Sequence, residues 1–318
     1  MKKPIMKKIY HKIWSYNTIV IIRHIGPDPD AVSSQIALRD SIKATFPNKK
    51  VYAVGNGVSK FKYLGILDKI DEDKLDNPLL IVLDLPNIAR IEGATFTKYK
   101  EAIKIDHHPM EDQMDLDWVD PGASSTAEMI ADLILNTRLK LTKKVAENLF
   151  LGIASDSNRF LQSSVQTFRT VADLIEKSGI NFTSLYPKLY ERPLAEIRFH
   201  GFIAQNMIVT PNGLGYIKIN TDDIQKYKVD SSTASNMIND FNYIDGVFVW
   251  IFITYDEKSA IFKVNIRSRG PVINEIASHY NGGGHIYASG VRTSNAEDIN
   301  KLLKELDDAC KEYQNNSK

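Results

Sequence analysis

Four short segments carry the residue types that could do chemistry. They are His24-Ile25-Gly26-Pro27-Asp28-Pro29-Asp30, Asp84 at the end of Ile81-Val82-Leu83, Asp106-His107-His108-Pro109, and Asp156 at the end of Gly152-Ile153-Ala154-Ser155. Gathered in one pocket they would bring together four carboxylates, not counting Asp106, and up to three imidazoles. Four adjacent carboxylates repel, and some would take up protons. Two divalent cations would cancel the four charges. Oxygen and imidazole donors without thiolate suit Mn²⁺ best, with Mg²⁺, Fe²⁺ or Co²⁺ as alternatives. Two such cations about 3.5–4 Å apart form a clamp used on phosphate esters. One carboxylate must bridge them, and Asp84, at the end of a wholly apolar run, is the natural bridge.

Each fragment alone has an ordinary reading. His24 could be a satisfied histidine. Asp28-Pro29-Asp30 could be a turn, with Asp30 capping the helix that follows; Pro29 would push Asp28 toward an extended backbone. Asp84 could end any strand. Asp106-His107-His108 is harder to dismiss, because three adjacent titratable groups after a buried strand are costly without a ligand. The whole set, in this order, favours metal.

These residues need elements to position them. Asn17–His24, Lys50–Val54, Leu79–Leu85 and Ala102–Asp106 are β-branched or apolar runs that read as buried parallel strands. Between the first two lies an amphipathic helix over Ala31–Phe46, with Leu38, Ile42 and Phe46 on one stripe. Further helices are expected over Ser125–Asn136, Thr142–Ala154 and Thr167–Ser178, the last stopped by Gly179. The β-α-β series predicts a doubly wound, mainly parallel sheet. In such sheets ligands sit beyond the carboxyl ends of the strands, where the first three segments lie; Asp156 follows a helix-like run.

Residues 186–209 are mixed, carry Pro187 and Pro193, and read as a linker between a first domain over residues 1–185 and a second over 210–318. The second has strand-like runs at Gly215–Asn220, Gly246–Tyr255 and Ala260–Ile266. Helices are expected over Val272–Tyr280 and Ala296–Tyr313, making a smaller α/β domain. The last helix could serve a homodimer, its ordinary role being to cover its own domain. The chain's 318 residues suit two domains. Its 40 basic and 39 acidic side chains exclude a diffuse polyanion-coating surface. A single cysteine, Cys310, excludes an internal disulfide framework and fits a reducing compartment. No apolar run reaches the roughly 18 residues that a membrane span needs, and the basic first residues lack the pattern of a signal peptide. A cytoplasmic location, away from membranes, is expected.

With its motifs in place, the chain resembles the DHH phosphoesterase superfamily, whose name-giving triplet is Asp106-His107-His108 here. The second domain resembles the associated DHHA1 domain, through Gly282-Gly283-Gly284-His285, Ala288-Ser289-Gly290 and the upstream Asn265-Ile266-Arg267-Ser268-Arg269. Size and layout are most similar to the nano-RNase A subfamily. The resemblance implies a cleft between the domains and hydrolysis of short oligoribonucleotides and of adenosine 3′,5′-bisphosphate (pAp), the latter giving AMP. It implies that His24, Asp28 and Asp84 hold one metal, that Asp30, Asp84, His107 and Asp156 hold the other, and that His108 faces the substrate phosphate. Short single-stranded DNA is a further candidate substrate.

In the second domain, the glycines would let backbone N–H groups approach an anion, and Arg267 could bind a phosphate through two parallel hydrogen bonds. If Asn265, Arg267 and Arg269 alternate on a strand they share a face, with Ser268 between them and His285 offering a further donor. The plain reading is a glycine turn beside a charged solvent face. The rival enzyme readings are a hydrolase of the linear dinucleotide pApA from cyclic di-AMP breakdown and a RecJ-like single-strand exonuclease. The rival outside enzymology is a nucleotide-binding regulatory module.

Overall fold

The computed structural model describes residues 2–57, 59–257 and 259–316. The chain divides into two compact units, Met1–Glu191 and Arg192–Lys318.

The first unit is built on six strands, β1 (Thr18–His24), β2 (Lys50–Ala53), β3 (Leu79–Leu83), β4 (Ile91–Glu92), β5 (Ala102–Asp106) and β6 (Leu116–Val119). Five of them run parallel in the order β2-β1-β3-β5-β6, while β4 pairs antiparallel with the end of β1. The chain steps from β1 to β2 on one side and then to β3 on the other. The switch point of the sheet, where such folds open a crevice, therefore lies between β1 and β3. His24 ends β1, Asp84 follows β3 and Asp106 ends β5.

Alternate residues feed opposite faces of the sheet. Ile19, Ile21, Leu79, Ile81, Ile103 and Ile105 pack beneath the helices. These are α1 (Lys2–Ser15), α2 (Pro29–Thr45), α3 (Thr126–Leu135), α4 (Lys143–Asp156) and α5 (Val165–Ser178), with the short α6 (Tyr186–Tyr190) closing the unit. Val20, Ile22, Leu80 and Val82 face the other way and are covered by Leu75, Phe96 and Tyr99 from loops and single 3₁₀ turns, beside Tyr52 of β2. The expected parallel sheet is present, but its helices gather on one face, because the β2–β3 and β3–β5 connections hold no long amphipathic run.

The expected strands of this unit appear within two residues at their ends. The helix after β1 starts earlier than expected, with Pro29 in its first turn and Asp28 as N-cap accepting from Ala31 N–H at 2.9 Å. Proline suits that position because it has no N–H to leave unpaired. Asp28 is extended, at φ −100° and ψ −177°. Asp30 is not the cap, and its carboxylate is turned elsewhere. Gly179 ends α5 at φ 64°. Helix α1 was not foreseen: Met6, Ile9 and Ile13 form one buried stripe in the main core, where each fully buried isoleucine is worth about 1.5–3 kcal/mol.

The second unit begins inside the stretch expected as a linker. Helix α7 (Leu194–Asn206) buries Phe199 and Ile203, four residues apart, in a core of this unit. It is followed by β7 (Ile208–Val209), β8 (Leu214–Ile219), α8 (Thr221–Tyr227), α9 (Ser231–Asn236), β9 (Val249–Asp256), β10 (Ile261–Ser268), α10 (Asn274–Ser278), β11 (Gly283–His285), β12 (Ala288–Thr293) and α11 (Ala296–Asn316). The sheet order is β11-β12-β10-β9-β8-β7, antiparallel except for β8 with β9. Ile299, Leu302, Leu306 and Cys310 of α11 are buried in this unit's own core.

One close approach governs the first unit. A Cβ on Gly152 of α4 would lie 2.1 Å from Ser33 Oγ and 2.7 Å from Ala127 Cβ, so glycine lets α4 seat against α2 and α3. Gly152→Ala should overpack this junction and cost about 1–3 kcal/mol. The expected result is a lower urea midpoint at unchanged slope; an unchanged midpoint would contradict this account of the junction.

Candidate metal centre

The chain ends its first-unit strands in ways that aim ligands into one place. His24 sits on the last residue of β1, and its Nδ1 lies 2.9 Å from Ile25 O. A carbonyl can only accept, so Nδ1 carries the proton and Nε2 keeps its lone pair. That Nε2 faces Asp84 Oδ2 at 3.5 Å and Asp28 Oδ2 at 4.0 Å. Asp84 leaves β3 through a left-handed backbone, φ 56°, a conformation aspartate tolerates better than most side chains. Its N–H bonds Ile105 O at 3.1 Å, so the turn is tied to β5.

The two oxygens of Asp84 look in different directions. Oδ2 meets His24, while Oδ1 lies 3.5 Å from both His107 Nε2 and His108 Nδ1. His107 Nε2 is also 3.4 Å from Asp156 Oδ2, at the end of α4. Donor atoms of His24, Asp28 and Asp84 lie within 4.8 Å of one another, and so do those of Asp30, His107 and Asp156. A third such group is Asp84, His107 and His108. The structure thus brings together all seven candidate residues of the first unit.

Several further residues hold this arrangement. Asp30 is buried, and its two oxygens accept the Thr126 and Ala127 N–H groups at 2.8 and 2.9 Å. These are free first-turn donors of α3, whose N-terminus favours negative charge. The Thr126 hydroxyl donates to Asp84 Oδ1 at 3.0 Å. One residue therefore grips two carboxylates that lie 42 and 96 residues before it. Asp106, fully buried, accepts from His108 Nδ1 at 2.8 Å and His108 N at 3.1 Å, fixing the ring so that Nε2 is left for another partner. Buried Lys104 lies 3.9 Å from Asp106 Oδ2 and donates to Pro86 O and Asp112 O, locking the loops after β3 and β5 together. Sequence reasoning assigned no role to Thr126 or Lys104. Asp106 was visible as the first letter of its triplet, without its part in orienting His108.

The electrostatics show an excess of negative charge. Burial pushes Asp156 up to about 6, with Asp28 and Asp84 adding to it. Burial raises Asp30 as well, reinforced by Asp84 and Asp156. Burial also works against ionised Asp84, but His24, His107 and His108 overrule it and hold Asp84 below the usual carboxylate range. His24 is raised by its hydrogen bond to Asp84, and His108 by its bond to Asp106. A cluster of carboxylates that resists full ionisation, next to imidazole lone pairs and without thiolate, fits hard or borderline divalent cations.

The second unit's candidates divide. Lys263, Asn265 and Arg267 of β10 share one face of the sheet, as the alternation predicts. Arg267 is partly buried; its Nε donates to Asn239 Oδ1 at 3.0 Å and its Nη1 to Ile266 O at 3.0 Å. Ser268 points to the opposite, buried side, where its hydroxyl donates to Pro271 O at 2.5 Å. Arg269 lies beyond the end of the strand, so the expected alternation stops before it. Its guanidinium donates to Ile244 O and Val247 O at 3.1 and 3.2 Å. These two side chains serve a turn and a loop. A Cβ on Gly282 would meet Gly290 O at 2.4 Å, and one on Gly284 would meet Ala288 O at 2.4 Å. Both glycines are thus required by the close β11–β12 hairpin. Gly283 has open space around it, and His285 is exposed.

A parallel α/β sheet that crowds carboxylates and imidazoles at its switch point defines a metal-site hydrolase architecture. Comparison makes the class specific. The model of the DHH family, N-terminal domain, matches residues 18–153, and that of the DHHA1 domain matches residues 215–312. A bifunctional oligoribonuclease and PAP phosphatase NrnA of Bacillus subtilis (strain 168) is 36% identical over 305 residues, covering 94% of this chain and 96% of that protein. A probable enzyme of the same name from Streptococcus mutans is 34% identical, covering 94% and 98%. Among solved structures, an exopolyphosphatase-related protein from Bacteroides fragilis shares the fold, with a TM-score of 0.78 at 22% identity over 97% of this chain and 98% of that one. The chain belongs to the DHH family and carries its DHHA1 domain. No helix among the described residues is long and apolar enough to cross a membrane.

The charge excess has a measurable consequence. Asp156 and Asp30 bind protons more tightly in the folded chain than in the unfolded one, so metal-free stability should fall as pH rises from about 4 through about 6. Raised His24 and His108 contribute stability that is lost as pH rises through their folded values, in the same direction. Asp84, held low, acts only in more acid solution. The chelated protein should therefore melt at progressively lower temperature between about pH 4 and 7. Added Mn²⁺ should raise the melting temperature more at pH 7 than at pH 5, because the ligands must be deprotonated. A flat metal-free profile would contradict the assignment.

Proposed function

We propose that this chain is a two-metal phosphoesterase that hydrolyses short oligoribonucleotides and removes the 3′-phosphate from pAp, with Mn²⁺ the preferred ion. The observation that carries the reading is the split orientation of Asp84, whose two oxygens face different ligand groups. His24, Asp28 and Asp84 would hold one cation, and Asp30, Asp84, His107 and Asp156 the other. The oligoribonuclease and PAP phosphatase activities for which the Bacillus and Streptococcus relatives are named supply the substrate class.

When bound, such cations neutralise the carboxylates, polarise the phosphoryl oxygens and make water acidic enough to act near neutral pH. The chain's own residues do the rest. His108 is held by Asp106 with Nε2 free, and the raised pKa keeps it a double donor to higher pH. It would donate to a non-bridging phosphate oxygen as charge builds there. Thr126 and the first turn of α3 keep Asp30 and Asp84 from rotating out of position. In the second unit, Arg267 offers a guanidinium whose Nη2 bonds no described residue, and Gly283 and His285 offer exposed donors. Each is a donor suited to a nucleotide phosphate. Cys310 is free and buried, and a cytoplasmic location is the reading we attach to this enzyme.

The deciding experiment is a substrate panel of pAp, RNA and DNA dinucleotides, a long single strand, pApA and pyrophosphate, each with Mn²⁺ and Mg²⁺. The expected result is fastest turnover of RNA dinucleotides and pAp with Mn²⁺, and none in EDTA. Equal rates on the long strand, or turnover without metal, would overturn the reading. Two variants divide the roles. Asp84→Ala should abolish turnover at saturating Mn²⁺. Asp106→Asn should lower kcat by about 10²-fold and move the alkaline limb of its pH profile downward, since the carboxylate that raises His108 is gone.

A further inference from the structure

Arg90 ends the short 3₁₀ turn Ile88–Arg90 and stands immediately before β4. Its place is fixed by backbone rather than by its side chain. Ile25 N–H donates to Arg90 O at 2.8 Å, Arg90 N–H donates to Asn87 O at 3.0 Å, and Ile91 pairs with His24 across the β1–β4 ladder. The guanidinium is exposed, with Nη2 3.5 Å from His24 Nδ1. That contact is no hydrogen bond, because Nδ1 already carries a proton directed to Ile25 O. No acid pairs with Arg90 among the described residues. Glu92, two residues on, is taken by Arg23 at 2.5 Å. The first unit thus places an acid-free guanidinium against the outer edge of a metal-site histidine.

We propose that Arg90 is a specificity-determining residue that binds the extra anionic oxygen of a terminal phosphate monoester. The inference rests on the phosphoesterase reading above. Two divalent cations would cancel the charges of Asp28, Asp30, Asp84 and Asp156, leaving Arg90 as the surplus positive group beside His24. A terminal phosphate carries about −1.5 to −2 charge at pH 7, whereas a diester carries a single charge. A fork-shaped donor rewards the monoester for that additional oxygen. This would let one centre act on diester and monoester, with the arginine tilting the balance toward phosphate-ended molecules.

The test compares wild type, Arg90→Gln and Arg90→Lys with Mn²⁺ saturating. Three quantities are measured: KM and kcat on pAp, the same on the unphosphorylated dinucleotide ApA, and calorimetric affinity for Mn²⁺ and for inorganic phosphate. The expected result for Arg90→Gln is a KM for pAp raised at least tenfold, a KM for ApA changed less than threefold, unaltered Mn²⁺ affinity and phosphate binding weakened about tenfold. Arg90→Lys should recover part of the pAp loss. Equal losses on both substrates, or a loss that follows weakened Mn²⁺ binding, would overturn the proposal. If the wild type turned over neither nucleotide, the function reading would fall, while phosphate binding by the metal-loaded variants would still decide the role of Arg90.

Discussion

The structure depends on one electrostatic constraint: four carboxylates, from α2, the end of β3 and the end of α4, are brought within reach of one another in a partly buried space. Left alone they repel, and the two whose pKa values rise, Asp30 and Asp156, show where the strain is greatest. An arrangement that costs the metal-free fold stability makes sense if the fold is built for the cation-loaded state. The same charge that opposes folding then becomes the binding energy for the ions.

The rest of the first unit can be understood as the means of holding that charge in place. The switch between β1 and β3 sets His24 beside Asp84. The left-handed turn at Asp84 swings its carboxylate between the imidazoles of two other strand ends. Helix α3 presents its free N-terminal amides to Asp30, and Gly152 lets α4 come close enough to deliver Asp156. Lys104, buried beside Asp106, ties together the loops that follow β3 and β5. Apart from the turn at Asp84, these supports sit on regular elements, which is what close positioning of a reactive group requires.

Much of this was legible in the sequence, for physical reasons. Site residues that follow buried strands stand out because a charged residue after an apolar run is expensive without a partner, and the ligands His24 and Asp84 and the positioning residue Asp106 each have that signature. The parallel sheet followed from apolar runs separated by helical or turn-rich segments. The supporting contacts were not legible. Thr126 meets Asp84 across 42 residues and Asp30 across 96, and no local pattern encodes such pairings. The choice of Asp28 over Asp30 as helix cap turns on a shift of two residues. In the second unit, strand alternation singles out Asn265 and Arg267, but the strand ends at Ser268, so Arg269 falls to a loop that uses it for its own carbonyls. Helix α1 was masked by its lysines, although Met6, Ile9 and Ile13 carry a helical spacing.

The central claim is that these side chains hold a pair of ions, and electron paramagnetic resonance during Mn²⁺ titration of the metal-free protein tests it directly. The account predicts binding of two Mn²⁺ per chain, with an exchange-coupled spectrum from ions about 3.5–4 Å apart. Saturation at a single isolated Mn²⁺, or a spectrum of free Mn²⁺ throughout, would contradict it.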